Sequence, residues 1–318
     1  MALAGLDNAN LKLILFGGKG GVGKTSCATA AAIELSKKYK TLIISTDPAH
    51  SISDCLGQKI GNGIHFVEGV ENLAATEIVA EQAYDEFKKE NEKELRNLLD
   101  TSTNLDFEDI DDIMRLTIPG IDEVMSFKMI IDYMEEGRFE KYIVDTAPTG
   151  HALRLISSPA MLDQWIKVAA KMRWKYRYIL TSFAGAYKQD KTDALLINLK
   201  KTVKRIEGLL RDVTQCEFIP VCIPESMAVS ETMRLIANLH ESDMFVKQII
   251  INNVMQSDGC SFCRERKTAQ QKYLDQIAST YPGMNKVILP LFSTEVRGLE
   301  KLEQMRSSLF NFKKSLTQ

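Results

Sequence analysis

The run Gly17-Gly18-Lys19-Gly20-Gly21-Val22-Gly23-Lys24-Thr25 constrains this chain more than any other stretch. An apolar segment, Leu11 to Phe16, leads into it, and an Ala-rich helical pattern, Ser26 to Lys38, leads out. Strand, glycine turn and helix in that order aim backbone N–H groups and a helix N-terminus at one place, where an anion can be held. Gly18 to Thr25 fits G-x-x-x-x-G-K-[ST], the phosphate-binding loop, in the strand-to-helix setting it requires. The nucleotide-binding set read from the loop is Gly18, Lys19, Gly20, Gly21, Val22, Gly23, Lys24 and Thr25. Lys24 would reach the β- and γ-phosphates of ATP, and the Thr25 hydroxyl would hold Mg²⁺. Gly18, Gly20 and Gly23 also spell the dinucleotide fingerprint G-x-G-x-x-G, but that pattern does not require Gly-Lys-Thr to follow. Lys19 is a second cation beyond what a backbone cradle plus Lys24 needs.

Downstream, apolar runs alternate with helical patterns, the signature of an α/β fold with a mostly parallel sheet flanked by helices. Thr41 to Thr46 reads as a strand buried on both faces and ends at Asp47-Pro48-Ala49-His50-Ser51. Asp47 therefore lies at the carboxyl end of a strand, where open α/β sheets place ligands. Lys141 to Asp145 is a strand ending in an aspartate, suited to the acid that joins the Mg²⁺ shell. The turn-rich Thr146-Ala147-Pro148-Thr149-Gly150-His151 follows, a candidate γ-phosphate sensor. Further strands are expected over 72–75, 217–223, 247–251 and 286–289. Helices are expected from Glu81 and over 122–136, 158–178, 195–210, 230–239, 268–280 and 298–316, with a charged connection over 99–112.

At 318 residues, 26% charged and with net charge −2, the chain has the composition of a soluble protein with no electrostatic case for nucleic acid. No apolar run approaches the ~18 residues of a membrane helix, so stable membrane insertion is not expected. Met1 to Asn10 lacks the pattern of a signal peptide, and six cysteines suggest no disulfide framework, so a cytoplasmic protein is expected. Cys260-Ser261-Phe262-Cys263 can be half of a zinc site, a redox pair or two incidental thiols. Structural zinc takes four ligands, and half a site in one chain becomes a whole one across a two-fold axis.

Gly18 to Thr25 resembles the deviant phosphate loop of the ArsA/Mrp/MinD ATPases. Asp47-Pro48-Ala49-His50-Ser51, Pro119-Gly120-Ile121-Asp122-Glu123, Asp145 to Arg154 and Cys260-x-x-Cys263 follow in family order. Together they cover nearly the whole chain, and the set is similar to the ATPases that target tail-anchored membrane proteins, relatives of the arsenical-pump ATPase. The resemblance implies that Lys19 crosses a dimer interface to the partner's nucleotide, making Lys19 catalytic beside Lys24 and Asp47. It implies that Asp47 positions the attacking water and that Asp145 couples to the metal shell. Glu225 and Asn252 match the family's nucleotide-contacting residues, and Cys260 with Cys263 matches a pair binding one Zn²⁺ shared by a homodimer. A single ATPase domain over 1–318 would carry an inserted helical client-binding subdomain at about 81–134 and 158–199, where Met114, Met125, Met129, Met134, Met161 and Met172 cluster. Implied partners are tail-anchored clients and a membrane receptor. Ser51 departs from the Asn usual in eukaryotic members.

Two rival readings stand beside this one. An arsenite- or metal-linked pump ATPase would need thiol ligands, and Cys27 and Cys55 make no convincing triad. A membrane-positioning ATPase of the cell-division type would use the stripe Leu299, Leu302, Met305, Leu309 and Phe310, although packing on the sheet is the commoner use of such a stripe.

Overall fold

Uninterrupted apolar runs belong in a sheet covered on both faces. In the computed structural model, which describes residues 2–47, 51–102, 121–146, 163–164, 166–171 and 190–310, they form one. Strands β1 (Leu13–Gly17), β2 (Thr41–Ser45), β4 (Leu73–Glu77), β5 (Lys141–Asp145) and β6 (Cys216–Cys222) are buried at every position. With β3 (His65–Phe66), β7 (Gln248–Val254) and β8 (Asn285–Pro290) they make an eight-stranded sheet in the order β3-β4-β2-β5-β1-β6-β7-β8. All neighbours run parallel except β3 with β4. The register sets Phe16 and Ser45 each beside Asp145, and Ser45 beside Glu77 on its other flank. The ends of β1, β2, β4 and β5 thus meet at one edge of the sheet.

Helix α1 (Lys24–Ser36) begins inside the glycine loop, two residues before the expected Ser26. Its alanines are buried nearly all round, which lets the last described helix, Gly298–Phe310, approach closely: Ala28, Ala31, Ala32 and Leu35 share one core with Leu302, Met305 and Leu309. Arg306 ties the two helices, donating to Glu34 and to Glu303 at 2.5 Å each. The C-terminal apolar stripe is therefore packed inside the molecule as far as Phe310.

Helix α2 (Ser51–Leu56) and strand β3 carried no sequence expectation. Helix α3 spans Ala80–Glu90, and α4 (Glu92–Ser102) runs into the stretch expected as a connection. Helix α5 spans Ile121–Glu136. Helix α6 (Lys191–Arg211) starts earlier than Leu195 because Asp190 and Asp193 exchange side-chain-to-backbone hydrogen bonds of 3.0 and 3.1 Å, a reciprocal cap. Helices α7 (Ser226–Glu241) and α8 (Ser261–Thr280) also start earlier than expected, and Gly298–Phe310 is α9.

The chain divides into two compact units. The first, residues 1–79, 133–153 and 209–318, holds the whole sheet. The second, residues 80–132 and 154–208, is helical wherever it has described elements, with Phe87, Leu98, Phe127, Ile130, Leu199 and Val203 buried. The stretches 81–134 and 158–199 fall largely within it. Met125 is buried and Met129 and Met134 are half-buried. Met114, Met161 and Met172 lie outside the described residues, as do 48–50, 103–120 and 147–162. Among the described residues no helix is long and apolar enough to cross a membrane.

Candidate functional site

The loop between β1 and α1 is shaped by residues that only glycine can satisfy. Gly23 has φ +90°, and a Cβ there would overlap the side-chain amide of Asn252; a Cβ at Gly18 would overlap the Val221 carbonyl. The strands beside the loop therefore press on its backbone and fix its path. Asn252, buried on β7, donates from Nδ2 to the Val22 carbonyl at 2.9 Å. Its Oδ1 is buried without a hydrogen-bond partner among the described residues, an acceptor that a base amino group could satisfy. Gly21, Gly23, Ser26, Asn252, Phe292 and Val296 border a cavity of about 480 Å³, room for a base beside the phosphate cradle. The Phe292 to Val296 contribution was not legible in sequence beyond its place after a strand end.

Lys24 is 6% exposed and folds back on the loop, its Nζ 3.4 Å from the Lys19 carbonyl. One residue on, the Thr25 hydroxyl donates to Asp145 Oδ2 at 2.6 Å. The Ser51 hydroxyl, in the first turn of α2, donates to the same oxygen at 3.1 Å and lies 3.2 Å from Ser45 Oγ. Ser45 Oγ in turn accepts the Asp47 N–H at 3.1 Å. One hydrogen-bonded chain thus joins the phosphate loop, β5 and the residue ending β2. Burial pushes the Asp145 carboxyl up to about 6, against the Thr25 and Ser51 hydrogen bonds and the Lys24 charge, which favour the carboxylate. Its Oδ1 has no hydrogen-bond partner among the described residues. A hydroxyl and a buried carboxylate oxygen are hard donors suited to Mg²⁺, so Thr25 and Asp145 would hold that ion. When bound it supplies positive charge to phosphate oxygens.

The other candidate side chains have partners outside this network. The Lys19 ammonium pairs within its own chain with Glu231 on α7 at 3.5 Å. Glu225, preceding α7, is more than half exposed and pairs with Arg266 of α8 at 3.5 Å. Cys260 caps α8, its sulfur accepting the Cys263 N–H, and the two sulfurs lie 3.0 Å apart. Their shared hydrogen bond lowers the Cys260 thiol and raises that of Cys263. Two adjacent thiols suit zinc but supply half of a tetrahedral set, and among the described residues no group of three metal-binding side chains occurs. The structure thus gathers Gly18 to Thr25, Asp47, Asp145 and Asn252 at one sheet edge. Ser45 and Glu231 were missed, since neither stands in a motif.

A family model described as anion-transporting ATPase matches residues 11–311. The chain is 36% identical over 309 residues to ATPase ASNA1 homolog 2 of Paramecium tetraurelia, covering 94% of this chain and 93% of that one. It is 38% identical over 307 residues to the ATPase ASNA1 homolog of Dictyostelium discoideum, covering 94% and 89%. It is 35% identical over 315 residues to ATPase get3 of Pyrenophora tritici-repentis, covering 96% and 92%.

Proposed function

Because this chain belongs to the anion-transporting ATPase family and is an ATPase, we propose that it is a cytoplasmic, homodimeric targeting factor driven by Mg·ATP. It binds the hydrophobic segment of tail-anchored membrane proteins through its helical unit and hands them to a membrane receptor. The observation that carries this reading is the chain Thr25–Asp145–Ser51–Ser45–Asp47, which ties the phosphate loop to the segment that would hold the water. Loop N–H groups and Lys24 bind the phosphates, and Asn252 meets the base. Asp47 orients water toward the γ-phosphorus; the new P–O bond forms as the bond to ADP breaks. Lys19 leaves Glu231 and offsets charge at the partner's nucleotide, an effect similar to an arginine finger. Glu225 leaves Arg266 to contact nucleotide. Cys260 and Cys263, with the same pair of a second copy, hold one Zn²⁺.

Co-expression with a tail-anchored protein tests this reading. A soluble complex that needs the client's terminal hydrophobic segment is expected; a complex indifferent to that segment refutes client binding. The family description, anion-transporting ATPase, favours a second reading, ATP hydrolysis that drives an anion pump, with arsenite as the anion to test. Strong stimulation of turnover by arsenite, abolished when cysteines are replaced by serine, would establish it in place of targeting.

A further inference from the structure

Glu77 is a buried carboxylate outside every motif and outside the loop. It ends β4 and is 2% exposed, its neighbour in register being Ser45 of β2. Its backbone is fixed on both sides: the Glu77 N–H donates to the Gly61 carbonyl at 3.1 Å, and the Ile78 N–H donates to the Ser45 carbonyl at 2.8 Å. Both side-chain oxygens are directed at one residue. Oε1 accepts the Ser53 N–H at 2.9 Å, and Oε2 accepts the Ser53 hydroxyl at 3.0 Å. Ser53 Oγ also accepts the Ile60 N–H at 3.2 Å.

Ser53 sits two residues past Ser51, so the first turn of α2 is held from two strands at once: by Asp145 of β5 through Ser51, and by Glu77 of β4 through Ser53. Ser51 Oγ meets Ser45 Oγ, and Ser45 Oγ receives the Asp47 N–H. A buried carboxylate bonded twice to one serine has little freedom, since letting go would forfeit two charge-assisted hydrogen bonds in a desolvated site. We propose that Glu77 is a positioning residue for ATP hydrolysis: through Ser53 it fixes α2, and through Ser51 and Ser45 it fixes Asp47 relative to the phosphate loop. Glu77 stands on β4, apart from the phosphate loop, and acts through Ser53, so its loss should disturb the chemical step and spare ATP binding.

The inference rests on Asp47 being the residue that orients water. The test is steady-state ATPase kinetics of the full-length protein with Mg·ATP for Glu77→Ala, Glu77→Gln, Ser53→Ala, the Glu77→Ala/Ser53→Ala double variant and Asp47→Asn. Binding of a fluorescent ATP analogue reports the competent fraction. A misplaced catalytic group of this kind costs about ten- to a hundred-fold. Glu77→Ala and Ser53→Ala should each lower kcat to that extent, with KM within about two-fold of wild type and unchanged analogue stoichiometry. The double variant should be no slower than the slower single one, since both break the same link. Glu77→Gln, which keeps an acceptor for the Ser53 N–H, should recover part of the loss. If Glu77→Ala does not fold, Ser53→Ala, which removes one hydroxyl, carries the same expectation. Unchanged kcat, a KM that rises as far as kcat falls, or additive single effects overturn the inference. With Asp47→Asn inactive, such results sink the positioning role alone; if Asp47→Asn turns over normally, the reading of Asp47 fails and this inference fails with it.

Discussion

Asp47 lies two residues past the end of β2 with its N–H on Ser45 Oγ, close enough to Asp145 for its charge to raise that carboxyl. Asparagine keeps the shape and the backbone bond and loses the charge that would polarise a water. Asp47→Asn should therefore retain ATP and lose hydrolysis by about 10²-fold or more, measured by nucleotide binding alongside phosphate release. The cysteines divide at the same scale. Burial pushes the thiols of Cys27, Cys55, Cys216 and Cys222 up, Cys55 to about 11, whereas the Cys260 thiol is lowered and exposed. Thiolate is the reacting form. Metal-free native protein treated with iodoacetamide at pH 8 should carry its first label on Cys260, read by peptide mass spectrometry, with the four buried thiols spared until it unfolds.

At the scale of elements, α9 owes its place to its apolar stripe against α1. Leu302 is fully buried there, so Leu302→Ala should cost about 2–5 kcal/mol, measured by urea unfolding, and leave ATP binding intact in the folded fraction. At the opposite edge of the sheet from the phosphate loop, Glu217 is the second residue of β6, among buried residues, and accepts from Gln248 at 2.6 Å. Burial raises its carboxyl above the ordinary 4.5, opposed by that hydrogen bond and by the Lys247 charge. A raised native pKa means that its stabilising contribution is fully present below the ordinary value and is lost as pH rises through the native one. Against Glu217→Gln, which does not titrate, wild type should lose relative stability as pH climbs above the ordinary carboxyl value of 4.5, seen in urea midpoints along a pH series. Strands of this kind were legible because buried parallel strands are written as continuous apolar runs. The start of α6 was written locally too, in the Asp190-x-x-Asp193 cap. The start of α2 was not, since its hydroxyls bond carboxylates from two distant strands.

For the whole molecule, the dimer is the proposal most open to test. Exposed Cys260 and half-buried Cys263 offer two ligands where zinc takes four, so chelation, or Cys260→Ser with Cys263→Ser, should shift the protein toward monomer in light scattering. A double variant that stays dimeric and binds no metal removes the shared site. Vesicle sedimentation with ATP addresses the membrane-positioning rival: Leu302, Met305 and Leu309 lie in the core with α1, so vesicle binding dependent on this helix is not expected.

The sequence by itself determined the phosphate loop, the strand-end aspartates and the parallel α/β class. Each rests on local rules: glycine where a Cβ cannot fit, apolar runs where both faces are covered, an acid where a strand stops. Only the tertiary structure decided the pairings of those residues. Strand order and register bring Asp145 to Thr25 and Ser51, and Asn252 to Val22. Folding likewise sets Lys19 on Glu231 and Glu77 on Ser53. Each of these contacts spans tens to hundreds of residues, and even the shortest, Glu77 on Ser53, joins the end of a strand to a helix, so no local spacing encodes them.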